Sequence, residues 1–123
     1  MTMPVVRVSF TPAPAHVRTV RLVAGAAAQQ AGVRGEALDE VRFAVGEACA
    51  QAVARHQRHG LREPVRLECE GNGGGFTVRV SDRAPAGESA DPVAMALLSG
   101  LVSDLRTTPG INGVGTTVVL HWR

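Results

Sequence analysis

The chain has 123 residues, 45% of them hydrophobic, and a formal net charge of +2. These values predict one compact domain with a hydrophobic core over residues 1–123, and the charge is too small to indicate a nucleic-acid partner. All thirteen strongly basic residues are arginines, which excludes a Schiff-base lysine and a lysine-dependent phosphate loop. Three Phe, one Trp and no Tyr also argue against a surface that stacks nucleic-acid bases.

The sequence carries no sign of export or membrane insertion. No window approaches the run of about 20 apolar residues that a membrane helix needs, and "MTMPVVRVSF" lacks the basic and apolar regions of a secretory signal. Cys49 and Cys69 lie within apolar patterns, without the spacing of a metal site or a disulfide framework. We therefore expect a cytoplasmic protein with two buried, reduced thiols and no membrane partner.

The first half of the chain predicts one strand followed by two helices. "VVRVSF" alternates apolar and polar side chains, which is typical of a half-buried strand. Apolar residues then recur at steps of three and four from about Pro14 to Ala31, and Gly32 is suited to end that helix. A second helical pattern runs from Glu36 to about Gln57.

The second half predicts a hairpin, a third helix and a last strand. "VRLECE" and "FTVRVSD" alternate with period two, and the five-residue "GNGGG" between them favours an antiparallel hairpin. The third helix is predicted to run from Asp91, a suitable N-cap residue, to Arg106. "TVVLHW" alternates again and predicts the final strand.

These elements predict an α+β fold, arranged as a two-layer α/β sandwich. Each predicted strand has one apolar and one largely polar face, so we expect the sheet to be covered on one side only. The three helices then pack on the apolar face of a mostly antiparallel, mixed sheet.

Three polar residues interrupt the apolar side of these elements. Glu47 borders the apolar stripe of the second helix, and Gln51 follows one turn later on the same edge. Asp82 continues the even-numbered series that faces the core, so its carboxylate is expected to point toward the helices. A carboxylate there needs hydrogen bonds, a cavity mouth or a ligand. The three residues are candidates for a ligand site, and the alternative is two rim residues and a turn cap.

A group of basic residues marks the end of the second helix: Arg55, His56, Arg58, His59 and Arg62. Cations are stabilised near the negative end of the helix dipole, and this is the simplest interpretation of the cluster. An acidic partner or a phosphate group is the alternative. His56 and His59 have a spacing at which they could share a metal ion, but no nearby Cys or carboxylate completes a zinc site.

Four stretches of the sequence resemble the GHKL ATPase superfamily, in the short form of the anti-sigma factor serine kinases. "LDEVRFAVGEACAQAVARH" is similar to the helix in which the family usually shows Glu followed four residues later by Asn. "FTVRVSDRAPAG" stands where the family has a strand ending in Asp-x-Gly-x-Gly, and "GVGTTVVLHW" resembles its closing turn and last strand. "VSFTPAPAHVRTVRLVAGAAAQQAGV" is similar to its first strand and helix. The resemblance covers nearly the whole chain and implies a Bergerat-like fold.

The resemblance implies roles for four residues in a nucleotide pocket. Glu47 matches the acidic residue that is proposed to activate the attacking hydroxyl as a general base. Asp82 matches the Asp that hydrogen-bonds the adenine amino group. Thr116 or Thr117 falls near the family's threonine in the adenine pocket. These matches are expected to trace an ancestral nucleotide site.

The sequence departs from the family at the phosphate end of that pocket. Gln51 stands where Asn would hold the magnesium ion, and Mg²⁺ tolerates little deviation from octahedral geometry. Ala84 and Ala86 replace two glycines that let the backbone approach a ligand. Val93 and Met95 stand where a second glycine box is expected, so their side chains are expected to fill the space of the triphosphate. We therefore expect no metal site.

The resemblance and these departures together imply a regulatory protein-binding domain in which ATP binding is impaired or lost. The implied partner is a sigma factor or a STAS-domain anti-anti-sigma protein, and members of this type often form homodimers. No cofactor is expected, although ATP with Mg²⁺ is implied if the pocket still functions. The alternative is an active ATP-dependent serine/threonine protein kinase that phosphorylates a STAS-domain antagonist.

Overall fold

The structure, a computed structural model, describes residues 5–85, 91–110 and 113–123. Its elements are, in chain order, β1 (Val6–Phe10), α1 (Pro14–Gln30), α2 (Glu36–Arg58), β2 (Val65–Asn72), β3 (Gly75–Ser81), α3 (Pro92–Leu101), β4 (Asp104–Pro109) and β5 (Thr116–Trp122). Within the described ranges, no helix combines the length and the apolar content that crossing a membrane requires.

The five strands form one sheet in the order β1-β2-β3-β5-β4. All four strand pairs are antiparallel, so the sheet is more uniform than the mixed sheet that the sequence predicts. Even-numbered residues of β3, such as Val78, face the helices, and odd-numbered residues, such as Arg79, face away from them. The α+β fold with three helices on one face of the sheet is confirmed.

The core lies between α2 and the middle of the sheet. The stripe predicted for the second helix is buried, and it packs in one cluster with inward side chains of β2, β3 and β5. Both cysteines belong to this cluster as free thiols, as the sequence predicts. Members of the cluster that are at most 2% exposed include Val41, Val45, Ala48, Ala52, Leu67, Val78 and Leu120.

The third helix is shorter than the sequence predicts, and a strand that the sequence analysis missed follows it. Helix α3 ends at Leu101, and residues 104–109 form the edge strand β4. Leu105 fits a helical repeat, but it pairs with Leu120 of β5 instead. A single apolar residue cannot distinguish a helical repeat from the alternation of a strand. The open edge of β5 favours the strand, because it supplies partners for backbone hydrogen bonds. The start of α3 is as predicted, because Asp91 Oδ1 accepts a hydrogen bond from the Val93 amide at 3.0 Å.

The hairpin between β2 and β3 is tighter than predicted. The strands remain paired as far as Asn72 and Gly75, which leaves a two-residue turn rather than a five-residue connection. Its residues, Gly73 and Gly74, have φ values of 49° and 90°. Two successive positive φ values are typical of the hairpin turns that glycine favours.

Candidate functional site

Asp82 follows directly after β3, and its side chain points toward the helices, as the alternation predicts. The residue is only 3% exposed. Oδ1 accepts hydrogen bonds from the backbone amides of Ala84 and Thr116, both at 3.1 Å. Oδ2 receives a hydrogen bond of 2.8 Å from Nε of Arg55 and lies 2.6 Å from Nη2 of the same residue. The carboxylate is therefore the centre of a buried polar cluster.

The contacts of Asp82 use most of its capacity as an acceptor, with three hydrogen bonds and a further ion-pair contact. An ionised carboxylate offers about four lone-pair positions, and two backbone amides and two guanidinium nitrogens point at them. The Arg55 side chain is itself only 11% exposed. A ligand amino group would have to compete at this carboxylate with Arg55 and with the two backbone amides.

The partner of Arg55 is one contact that the sequence analysis missed. The sequence analysis attributes this cation to the helix dipole alone, whereas the structure turns it inward onto Asp82. The spacing of Arg55 was the signal for an inward position. Arg55 follows Gln51 by four residues and Glu47 by eight, which places all three on one edge of the helix. A buried carboxylate predicted across from that edge requires a cation of this kind.

Glu47 and Gln51 contact each other on α2. Both are half-buried, and Gln51 Nε2 donates a hydrogen bond of 3.3 Å to Glu47 Oε1. The Gln51 amide group is therefore held by its neighbour one turn away. The edge of α2 presents a carboxylate, an amide and a guanidinium in succession, and the last of these meets Asp82.

The structure separates the two candidate threonines. Thr116 shares the helix-facing side with Asp82, accepts a hydrogen bond from the Asp82 amide at 3.0 Å and donates its own amide to Oδ1. Thr117 pairs with Ser81 across the sheet, and their hydroxyls lie 2.8 Å apart on the opposite face. The cluster at Asp82 therefore includes Thr116 and excludes Thr117.

The backbone around Asp82 is closely packed. Gly115 has a φ of 77°, and a Cβ atom added there would lie 1.9 Å from the carbonyl oxygen of Asp82. Ala84, which stands where the family has glycine, is 2% exposed, so its methyl group is enclosed. Ala86, the second such position, lies outside the described residues.

His56 links α2 to the segment after Asp82. The side chain is fully buried, its Nδ1 lies 3.0 Å from the Glu63 carbonyl oxygen, and Nε2 lies 2.8 Å from the Arg83 amide nitrogen. Since the amide must donate to Nε2, Nδ1 carries the proton and donates to the carbonyl. The imidazole is thus a neutral structural bridge, a role that the helix-dipole interpretation of the basic cluster did not predict. Among the described residues, no three His, Cys, Asp or Glu side chains gather as metal ligands.

The two side chains at the start of α3 differ in their surroundings. Val93 is 77% exposed, whereas Met95 is half-buried against the core. Val93 therefore projects into solvent, and the expectation that these two side chains fill the space of the triphosphate stays a prediction. The remainder of the segment between Asp82 and α3, residues 86–90, lies outside the described residues.

Comparison with known proteins gives a family and a fold. The family model for the histidine kinase-like ATPase domain matches residues 10–122, and none of the curated proteins matches the chain. Among the solved structures that match is the crystal structure of the RsbU and RsbW domains of Rv1364c from Mycobacterium tuberculosis. It has a TM-score of 0.77 and 20% sequence identity, and the match covers 98% of this chain and 32% of that chain. The chain thus spans less than two thirds of the length of that protein, and the likeness is one of fold.

Proposed function

Because the chain belongs to the family of histidine kinase-like ATPase domains, we propose that it is a regulatory protein-binding domain of the anti-sigma factor type in which ATP binding is weakened or lost. Its partner is a sigma factor or a STAS-domain anti-anti-sigma protein. The support is the resemblance of four sequence stretches to the anti-sigma factor serine kinases, together with a fold similar to that of a structure that contains an RsbW domain.

The observation that carries the proposal is that the Asp82 carboxylate is already bound by groups of the protein itself. By the family resemblance this carboxylate accepts a hydrogen bond from the adenine amino group, but here Arg55 and two backbone amides already occupy most of its acceptor positions. Separating a buried ion pair so that one charge is left without its partner costs about 3–5 kcal/mol. A cost of that size lowers affinity by about a hundredfold or more, unless the ligand supplies a replacement anion to Arg55.

The residues at the phosphate end of the pocket also fit magnesium poorly. Gln51 has a longer side chain than the Asn that the family uses, and its amide group is bound to Glu47. Mg²⁺ requires near-ideal octahedral oxygen ligands. The methyl group of Ala84 is enclosed beside Asp82, where glycine would leave the backbone accessible. We therefore assign no phosphoryl-transfer step to this site.

Isothermal titration calorimetry tests the nucleotide part of the proposal. Mg-ATP and Mg-ADP titrated into the protein should give no saturable heat. Saturable heat that disappears in Asp82→Asn, under conditions where circular dichroism shows this variant to be folded, would refute the proposal, because it would place adenine at the carboxylate. A matched variant, Asp104→Asn on the exposed edge strand β4, should leave any such heat unchanged.

The protein-binding part is tested with the candidate partners from the same genome. Each sigma factor and STAS-domain protein is purified and titrated against the chain by biolayer interferometry. We expect saturable binding of at least one of them without nucleotide. If none binds, with or without Mg-ATP, the assignment to the anti-sigma type is wrong.

An active serine kinase is the second candidate, and one observation favours it. Glu47 is half-buried, accepts a hydrogen bond from Gln51 and forms no ion pair with any described residue, so its carboxylate is not neutralised. Such a group is suited to accept the proton of a serine hydroxyl. This candidate predicts transfer of radiolabelled phosphate from ATP to a serine of a STAS-domain protein, and Glu47→Gln should abolish the transfer while leaving the fold intact.

A further inference from the structure

The face of the sheet that the helices leave uncovered carries its side chains in ordered rows. One row crosses all five strands in register and consists of Arg7, Glu68, Arg79, Val119 and Arg106. The next row consists of Ser9, Arg66, Ser81, Thr117 and Thr108. The outer face therefore combines a row rich in arginine with a row rich in hydroxyl groups.

A cavity of about 360 Å³ opens where these rows cross β1, β2, β3 and β5. Three of its lining residues are arginines (Arg7, Arg66 and Arg79), one is Glu68, and three carry hydroxyl groups (Ser9, Ser81 and Thr117). The balance of these charged groups is positive, with three cations against one anion. Because the hydroxyls of Ser81 and Thr117 hydrogen-bond each other, Ser9 and one member of that pair can donate to an oxygen ligand.

Among the described residues that line the cavity, the one carboxylate is already neutralised. Glu68 accepts a hydrogen bond of 3.0 Å from Arg7 Nε and one of 3.5 Å from Arg79 Nη1. Arg66, on the same strand two residues earlier, is exposed and forms no ion pair or hydrogen bond with any residue that the structure describes. Its guanidinium is therefore available to a carboxylate from outside the chain, which it can bind through two parallel hydrogen bonds.

We propose that this outer face, centred on Arg66, binds an acidic segment of a protein partner in extended conformation. Arg66 is diagonal to Arg7 and to Arg79 across the strand pairs, and diagonal neighbours lie about 7–8 Å apart. Carboxylates at alternate positions of an extended chain repeat at about 7 Å. Successive carboxylates of such a segment thus match Arg66 and either neighbouring arginine.

Two other occupants fit this face less well. A second copy of the chain would bring the same arginine-rich row against itself, and like charges in contact are unfavourable. A single-stranded nucleic acid gains much of its affinity from aromatic stacking, and none of the described residues that line the cavity is aromatic. The inference goes beyond the proposed function, because it concerns the face opposite the Asp82 cluster and holds whether or not nucleotide binds.

The test uses a fluorescein-labelled synthetic peptide in which glutamate alternates with serine, and measures fluorescence polarisation at low and physiological salt. Wild-type protein should bind it saturably, and Arg66→Gln should weaken binding by about tenfold or more. Arg106→Gln is the matched control. It removes the same charge from the same face, but Arg106 lies on the edge strand, outside the cavity lining, 3.7 Å from Asp104, so the loss should be below about twofold.

Several outcomes would overturn the inference. The first is an equal loss of peptide affinity in Arg66→Gln and Arg106→Gln, which would indicate general attraction to a basic protein. The second is displacement of the peptide by an equal concentration of inorganic phosphate. A third is a change of sedimentation coefficient in Arg66→Gln, which would make the face a contact between copies. Arg66→Lys keeps the charge and should bind better than Arg66→Gln. The assay contains neither nucleotide nor a sigma factor or STAS protein, so its failure leaves the proposed function standing.

Discussion

Nη2 of Arg55 lies 2.6 Å from Oδ2 of Asp82, and the two side chains are 11% and 1% exposed. The pair joins the last turns of α2 to the end of β3, which are 27 residues apart in sequence. Because both charges are withdrawn from water, each depends on the other. The pair fixes the position of the helix relative to the strand at the point where the family resemblance places adenine.

Removing one member of this pair should destabilise the fold strongly. We expect Arg55→Met to lower the free energy of unfolding by about 3–5 kcal/mol, because Asp82 is left as a buried charge without its cation. Urea unfolding followed by circular dichroism measures the change. Adding Asp82→Asn should recover part of the loss, since Asn can still accept from the Ala84 and Thr116 amides.

The control for this change is Arg62→Met, which removes an exposed arginine just beyond the same helix. Surface substitutions of that kind usually stay within about 0.5 kcal/mol of wild type. If Arg55→Met behaves like Arg62→Met, the ion pair contributes nothing to stability, and the argument that Arg55 occupies Asp82 fails with it.

Gly115 and Gly113 form a matched pair that separates backbone strain from collision. Both have positive φ, 77° and 73°, but a Cβ at Gly115 would meet the Asp82 carbonyl oxygen at 1.9 Å, whereas one at Gly113 meets nothing within 4 Å. Gly113→Ala should therefore cost only the strain of the left-handed conformation, about 1–2 kcal/mol. Gly115→Ala should lower the stability measured by thermal unfolding distinctly more than Gly113→Ala does. Equal losses would contradict the close approach of Gly115 to the Asp82 carbonyl oxygen.

The two thiols should be unreactive in the folded protein. Burial, with a smaller contribution from Cys69, raises the pKa of Cys49 from 9.0 to about 12. Burial, with a smaller contribution from Glu68, raises the pKa of Cys69 to about 11. The thiolate is the reactive form, so a thiol-specific chromogenic reagent at pH 8 should label neither cysteine natively and both in urea. Rapid native labelling of either thiol would contradict this.

The same shifts predict a loss of stability in alkaline solution. Between pH 9 and pH 11 the folded chain keeps both protons on its thiols while the unfolded chain releases them. The unfolded state then binds fewer protons, so the free energy of unfolding falls as pH rises above about 9. Below about pH 9 the stabilisation that comes from the two protonated thiols is fully present. A variant with both cysteines changed to alanine should show a smaller fall when unfolding is followed across this range.

Trp122 holds the end of α3 through its indole group. Its Nε1 donates a hydrogen bond of 2.8 Å to the Leu101 carbonyl oxygen, and its ring lies 6.3 Å from that of Phe76. Trp122→Phe keeps a ring at this position but loses the hydrogen bond, which should cost about 1 kcal/mol. Hydrogen exchange should quicken in the last turn of α3 and stay unchanged in β1 at the far edge of the sheet. Unchanged exchange in α3 would contradict the role.

The accuracy of the sequence analysis followed the strength of each local signal. The stripe from Val41 to Ala52 has helical period over several turns, so α2 and its buried face were predicted correctly. Leu105 had no such support, and the strand that contains it was assigned to a helix. The inward direction of Asp82 followed from alternation in β3, which continues one residue beyond the strand.

The sequence by itself determined the α+β fold and the face of each long element, because periodicity is a local property of the chain, and its resemblance to the GHKL superfamily indicated the family. Only the tertiary structure decided that Arg55 meets Asp82 and that His56 bridges to Arg83. It also decided that Thr116 joins the Asp82 cluster while Thr117 lies on the opposite face of the sheet. These outcomes depend on which side chains come together from distant parts of the chain. A buried charge or imidazole needs a partner, and the spacing along α2 gives the edge on which Arg55 lies without specifying which distant residue it meets.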